Sequence, residues 1–207
     1  VDLPRFTGWH HVLKRALDLV LSAAALVLLA PVMAAVAAAI KLGDGGTVLF
    51  RQERVGLGGR TFILHKFRTM RVDAESRIDE LIAQAGGNAL LFKLEDDPRV
   101  TRVGAFLRKY SLDELPQFWT VLNGSMSIVG PRPQVAREVA EYTPALHRRL
   151  LVKPGITGLW QVNGRSSLSL EESVRLDLHY VENWSLTSDI AIIAKTVKVV
   201  LHPQGAY

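Results

Sequence analysis

The stretch that decides the fold is Ala16 to Ile40, ALDLVLSAAALVLLAPVMAAVAAAI, which carries a single charge, Asp18, and is otherwise almost wholly apolar. About 20 apolar residues suffice to cross a bilayer, so the segment is long enough. Two features argue against a plain crossing. Pro31 lies near its middle, where it removes a backbone hydrogen bond and crowds the preceding turn, so a kink or break is expected. Basic residues also flank both ends: Arg5, Lys14 and Arg15 before, Lys41, Arg51 and Arg54 after. The positive-inside tendency assigns both flanks to the cytoplasm. A helix over 14–42 that enters the membrane, breaks at Pro31 and returns to the same face accounts for both features. The alternatives are a span with a tolerated kink and a buried helix of a soluble core.

Outward from this segment the composition changes. Residues 1–13 lack the apolar core and small-residue cleavage site of a secretory signal and are expected to be a linker from an upstream region. Residues 43–207 are polar enough to form a separate cytoplasmic domain. The 207 residues include no cysteine, which excludes disulfide scaffolds and thiolate metal sites. Lys and Arg outnumber Asp and Glu by 25 to 20, which points to an anionic partner: a nucleic acid, an acidic membrane or a phosphorylated substrate.

In the polar part, 47–54 and 61–69 read as strands joined by the glycine-rich turn Val55-Gly-Leu-Gly-Gly-Arg60, a β-hairpin. Helical spacing follows over 72–85, 116–122, 135–151, 170–184 and 188–201, with Arg137, Arg148 and Arg149 expected at the surface. The last of these sets Ile190, Ile193, Val197 and Val200 on one face, to lie either on the bilayer or on the domain core. The expected fold is therefore α+β, predominantly helical with a small β-hairpin, a Pro-broken re-entrant membrane helix and amphipathic interface helices.

Chemistry is concentrated in Ser111-Leu-Asp-Glu-Leu-Pro-Gln117. Two carboxylates at the start of a short helix fit a helix cap, with Ser111 and Glu114 as a capping box. The same location suits an ionised nucleophile or metal ligand. Cations lie at Lys66, Arg68 and Arg108, and Arg132 is held rigidly between Pro131 and Pro133. Arginine offers phosphate a planar fork of donors. The loop Lys153 to Arg165, which contains Gln161, is rich in turn residues and hydrogen-bonding groups and could dock a base or sugar. No zinc spacing, Gly-x-Ser-x-Gly elbow or Walker lysine is present. With carboxylates but no thiolates, the metal to expect is magnesium, held by Asp113 and Glu114.

Taken in order, Lys14-Arg-x-x-Asp18, the apolar segment broken at Pro31, Phe50-x-Gln-x-Arg54-x-Gly, Lys66-Phe-Arg-Thr-Met70, Asp97-Pro-Arg-Val-Thr101, Ser111 to Gln117, Met126-Ser-Ile-Val-Gly-Pro-Arg-Pro133 and Lys153-Pro-Gly-Ile-Thr-Gly-Leu-Trp-Gln161 resemble the bacterial sugar transferase family, the monotopic phosphoglycosyl transferases. The resemblance covers nearly the whole chain. It implies a re-entrant helix, a UDP-sugar donor, undecaprenyl phosphate as acceptor and dependence on magnesium. It also implies that Asp113 is the nucleophile, expelling UMP and forming an aspartyl phosphosugar that the lipid phosphate then attacks. Glu114 would assist, and Lys66, Arg68, Arg108, Arg132, Gln161 and Arg165 would bind substrate. The implied setting is the cytoplasmic face of the bacterial membrane, against inner-leaflet phospholipid, without nucleic acid and with a homodimer left open. The implied role is the first membrane step of polysaccharide or glycoconjugate assembly. The opening residues, Pro4-Arg-Phe6 among them, look like the linker before the catalytic part of long family members. Two other classes make different predictions: a non-catalytic membrane module that binds anions through its basic surface, and a transferase that spans the bilayer many times.

Overall fold

The computed structural model describes residues 8–72, 74, 97–164 and 168–201. Most of the predicted helix over 72–85, most of the upstream linker and Arg165 fall outside them. The apolar segment forms α1, Trp9–Asp44, which is helical from end to end with Pro31 inside it. At about 1.5 Å per residue its 36 residues follow a path of roughly 54 Å. The expected break is therefore not an interruption of helical structure. The helix stops at Gly45, whose positive φ of 71° lets its N–H return to the carbonyl of Lys41.

Burial along α1 repeats every three or four residues, with Lys14, Asp18, Ser22, Val36 and Ile40 buried. Those positions face the rest of the protein. Val20, Val27 and Leu28 are 65%, 74% and 75% exposed, far more apolar surface than a soluble core helix leaves uncovered.

The hairpin is present as β1, Leu49–Val55, and β2, Thr61–Phe67, antiparallel with Phe50 opposite Lys66 and Gln52 opposite Leu64. Next come α2, Arg102–Lys109, a 3-10 turn over Leu112–Glu114, and α3, Gln117–Leu122. Two three-residue strands, β3 (Ser127–Val129) and β4 (Gly155–Thr157), then pair in parallel. Their crossing is tight: a Cβ on Gly155 would stand 2.1 Å from the amide nitrogen of Gly130. Between them, the helix expected over 135–151 divides into α4, Ala136–Val139, and a 3-10 segment, Leu146–Leu151. Pro144 disfavours helical backbone at Thr143 and lacks an N–H, which accounts for the division. The chain continues through α5, Leu159–Val162, α6, Leu170–Glu182, and α7, Leu186–Leu201. Ser169 and Glu172 form a capping box at the start of α6.

Two apolar clusters tie these elements together. One gathers Leu64 of β2, Val121 of α3, Met126, Ile128 and Val129 around β3, and Tyr180, Val181, Trp184 and Ile192 from the last two helices. The other joins Val36 and Ile40 of α1 to Phe67 of β2 and Leu107 of α2. In α7 it is Ile192 that is buried, while Ile190 and Val197 are each 55% exposed, so the helix packs on the core with one apolar edge left open.

Both ends of α1 are bound to this one body. Near its start, Lys14 donates to Asp189 at 2.6 Å and to the carbonyl of Val129 at 3.1 Å, and Asp18 accepts from Ser127 Oγ and Ile128 N, each at 3.0 Å. Asp189 also accepts from Tyr180 at 2.8 Å and Trp184 at 3.0 Å, so this fully buried carboxylate has three donors, one of them its charge partner Lys14. At the far end, Asp44 pairs with Arg68, and Val36 and Ile40 enter the second cluster.

Candidate active site

The site is assembled where β2 passes the turn between α2 and α3. Gly104 sets the approach of α2: a Cβ there would lie 1.9 Å from the carbonyl oxygen of Thr69, so only glycine lets the helix sit against the end of β2. One turn later Arg108 donates from Nε to Thr69 Oγ1 at 3.0 Å. The chain then reverses through Ser111, the one non-glycine residue with positive φ among the described residues, at 55°. Strain of this kind persists only where the surrounding structure enforces it, and here it ends α2 and turns Asp113 and Glu114 back toward β2.

Lys66 meets them. Its ammonium is 2.7 Å from Glu114 Oε1 and 3.9 Å from Asp113 Oδ2. The Asp113 carboxyl is raised to about 6, first by burial and next by repulsion from Glu114, while Lys66 and Arg108 pull it down. The expected capping box is absent: the Ser111 side chain makes no cap hydrogen bond, and the helix that follows is a single 3-10 turn. Burial outweighs the two cations, and the carboxyl is mostly ionised only above about pH 6.

A second cationic group lies further along the same face of the hairpin. Arg54 donates to Gln52 Oε1 from both Nε (3.1 Å) and Nη2 (2.5 Å), and to the carbonyl of Pro133 at 3.1 Å. Burial and the charge of Arg132 lower its pKa to about 10, and Glu114 acts in the opposite direction. The Arg132 guanidinium stands 5.8 Å from the ring centroid of Trp160, a cation–π arrangement. Next to Trp160, the Gln161 Oε1 atom is buried and has no hydrogen-bond partner. The atom lies against Gly158, where a Cβ would stand 2.8 Å from it, and an orphaned acceptor of this kind is suited to a donor carried by a ligand.

The backbone of Pro131-Arg132-Pro133 is itself held. Arg149, expected at the surface, is 7% exposed and pairs with Asp177 at 2.6 Å. The Arg149 guanidinium also reaches Tyr142 OH at 2.7 Å and the Arg132 carbonyl at 3.4 Å. Asp177 takes a backbone hydrogen bond from Arg132, and burial raises it to about 6 against the pull of Arg149. The ion pair thus grips both polar groups of the one non-proline residue in this turn.

The structure therefore brings Asp113, Glu114, Lys66 and Arg108 together and sets Arg132 beside the loop that carries Gln161. Arg68 is placed differently. It is 9% exposed, with its guanidinium on Asp44 and on the carbonyls of Thr47 (2.6 Å) and Met70 (3.4 Å), so it fastens the end of α1 to the hairpin. Sequence reasoning missed Arg54, Arg149 and Asp177. For Arg54 a signal existed: alternation along a strand puts Gln52 and Arg54 on one face.

Among the described residues no group of three or more His, Asp or Glu could hold a metal unaided. Two adjacent carboxylates fit a magnesium ion that takes its remaining ligands from phosphate and water, and the repulsion between them is what a cation would relieve.

Comparison with known proteins agrees with the sequence resemblance. The family model described as bacterial sugar transferase matches residues 9–203. The chain is 52% identical over 79% of its length to the galactosyl transferase CpsE of Streptococcus agalactiae, of which the match covers 36%. It is 43% identical over 95% of its length to the UDP-glucose:undecaprenyl-phosphate glucose-1-phosphate transferase of Escherichia coli, covering 41% of that protein. With the exopolysaccharide production protein ExoY of Sinorhizobium fredii it shares 42% identity over 94% of this chain and 88% of that one. The chain thus spans about two fifths of the length of the first two and most of the third. With a matching motif set, a match over nearly all of its length and a site built from those motifs, this chain belongs to the bacterial sugar transferase family.

Proposed function

We propose that this chain transfers a sugar 1-phosphate from a UDP-sugar to undecaprenyl phosphate at the cytoplasmic face of the membrane, with Asp113 as the nucleophile. The observation that carries the reading is the convergence on Asp113 of burial, a neighbouring carboxylate and two cations. In the first step an Asp113 oxygen attacks the phosphorus bearing the sugar. The bond from that phosphorus to the bridging oxygen breaks, and UMP leaves with the bonding pair. In the second step an oxygen of the lipid phosphate attacks the same phosphorus and expels the Asp113 carboxylate, giving a lipid-linked diphosphosugar. Charge accumulates on phosphoryl oxygens in both steps, where Lys66 and Arg108 can neutralise it. Arg54, Arg132 and Gln161 are placed to orient the rest of the donor.

Magnesium, held by Asp113 and Glu114, would supply charge neutralisation on the diphosphate. Glu114 keeps Lys66 in place at 2.7 Å and adds the repulsion that raises Asp113.

The membrane reading is supported by the two ends of α1. Lys14 and Asp18 bind around β3, Val36 and Ile40 pack on β2 and α2, and the exposed Leu19, Val20, Val27, Leu28 and Val32 lie between. A helix with both ends on one polar body favours entry and return on the same face of the bilayer over a crossing. Galactose appears in the name of one relative and glucose in another, so the sugar is left as a class.

Asp113→Asn is the test. It abolishes exchange of labelled UMP with the UDP-sugar while circular dichroism stays unchanged; full exchange in that variant overturns the mechanism.

A further inference from the structure

We propose that a notch formed by Arg15, Lys153 and Gly124 binds the phosphodiester headgroup of a phospholipid of the leaflet in which α1 lies. This rests on the membrane reading of α1 but not on the chemistry at Asp113.

Gly124 follows α3 with a φ of 92° and forms the floor of the notch. The position of a Cβ on it would lie 3.6 Å from Arg15 Nη2 and 3.8 Å from Lys153 Nζ, so the two cations flank one small residue. Neither meets a carboxylate. Arg15 donates to the carbonyls of Val121 (2.7 Å) and Leu122 (2.8 Å), which leaves donors on a guanidinium whose charge is not neutralised. Lys153 makes no hydrogen bond or ion pair among the described residues; Arg15 and Lys14 repel it, and Asp18 attracts it, though less than Arg15 repels it. Asp18 acts on Lys153 only at a distance, its carboxylate accepting from Ser127 and Ile128. Two partly buried cations held side by side without an anion are stabilised by any phosphate that bridges them.

A lipid is favoured over free phosphate by what surrounds the notch. Arg15 is one turn before Leu19 on the same face of α1, and Leu19 is 37% exposed. Trp119 on α3, one turn before Asn123, is 60% exposed, and indoles favour the headgroup level of a bilayer. The two helices that form the notch therefore each carry an exposed apolar or aromatic side chain close to it in sequence, Leu19 on α1 and Trp119 on α3. The acceptor lipid is not the occupant assigned here, because α3 lies between the notch, at its C-terminal end, and Asp113, before its N-terminal end.

Native mass spectrometry of the detergent-solubilised full chain, given phosphatidylglycerol, tests the assignment. The unmodified protein retains one phospholipid; Lys153→Gln retains about tenfold less at the same lipid concentration, Lys153→Arg restores it, and Lys195→Gln on exposed α7 has no effect. Equal retention by Lys153→Gln overturns the site. Displacement of the lipid by millimolar inorganic phosphate overturns the lipid as its occupant. Exchange of UMP, measured on the same preparations, separates failure of the notch from failure of the catalytic reading.

Discussion

Lys66 stands 3.9 Å from Asp113 while its closer contact, 2.7 Å, is to Glu114. The lysine thus lowers the pKa of Asp113 without a direct short bond to it, and the oxygen proposed to attack is not tied up in a close ion pair. Burial and Glu114 act the other way and prevail, so the carboxyl titrates at about 6.

An acid limb in the activity profile follows. A cation on the acidic pair would favour the ionised form, so for UMP release the acid limb of kcat/KM lies at or below about pH 6, since the proposed nucleophile must be ionised. Lys66→Met removes an opposite charge and moves the limb upward by roughly one pH unit or more. Stability runs in the opposite sense. A carboxyl whose folded pKa lies above its unfolded 3.8 contributes stability that is complete below the unfolded value and lost as pH rises through about 6. The melting temperature therefore falls across that window, and Asp113→Asn abolishes this part of the fall; both are read by calorimetry.

The Arg149–Asp177 pair grips the Arg132 backbone, which makes it a positioning device. Asp177→Asn lowers kcat/KM about tenfold, chiefly through KM, on the scale of one charged hydrogen bond. In a double-mutant cycle Arg132→Ala costs much less in the Asp177→Asn background than alone. Full additivity contradicts the coupling.

Much of this arrangement was legible in the sequence because local rules carried it. The hairpin followed from its glycine turn and α1 from length and hydropathy, while Lys66 was named only as a phosphate ligand, through the resemblance, and not as a partner of the acidic pair. What was not legible depends on distant partners. β3 and β4 are three residues each and pair across the intervening chain, so neither has a periodicity to read. Arg68 looked like a phosphate ligand until Asp44, 24 positions earlier, was found to occupy it. Arg149 looked solvated because its partner, Asp177, lies 28 positions away on another helix. Burial of a charge depends on its partner, and a partner so distant leaves no local signature.

The anchoring network at the start of α1 predicts an asymmetric mutational response. Asp189→Ala leaves Lys14 buried without a counter-charge and costs on the order of 3 to 5 kcal/mol in chemical denaturation. Asp189→Asn retains most of the geometry but not the charge, and falls between that variant and the unmodified protein.

Topology can be read by labelling, since the chain has no cysteine of its own. Cysteines replacing His11 and Gly43, both exposed and at opposite ends of α1, react with an impermeant maleimide from the cytoplasmic side only. Reaction from opposite sides identifies a crossing helix.

The central claim is that Asp113 carries the phosphosugar between donor and acceptor. Its most direct test is mass spectrometry of the protein incubated with a UDP-sugar and no lipid acceptor, quenched in acid and digested. The account predicts a sugar-phosphate adduct on the peptide containing Asp113, formed as UMP is released and lost on addition of undecaprenyl phosphate. UMP release that requires the acceptor, with no adduct at Asp113 at any time, would contradict it.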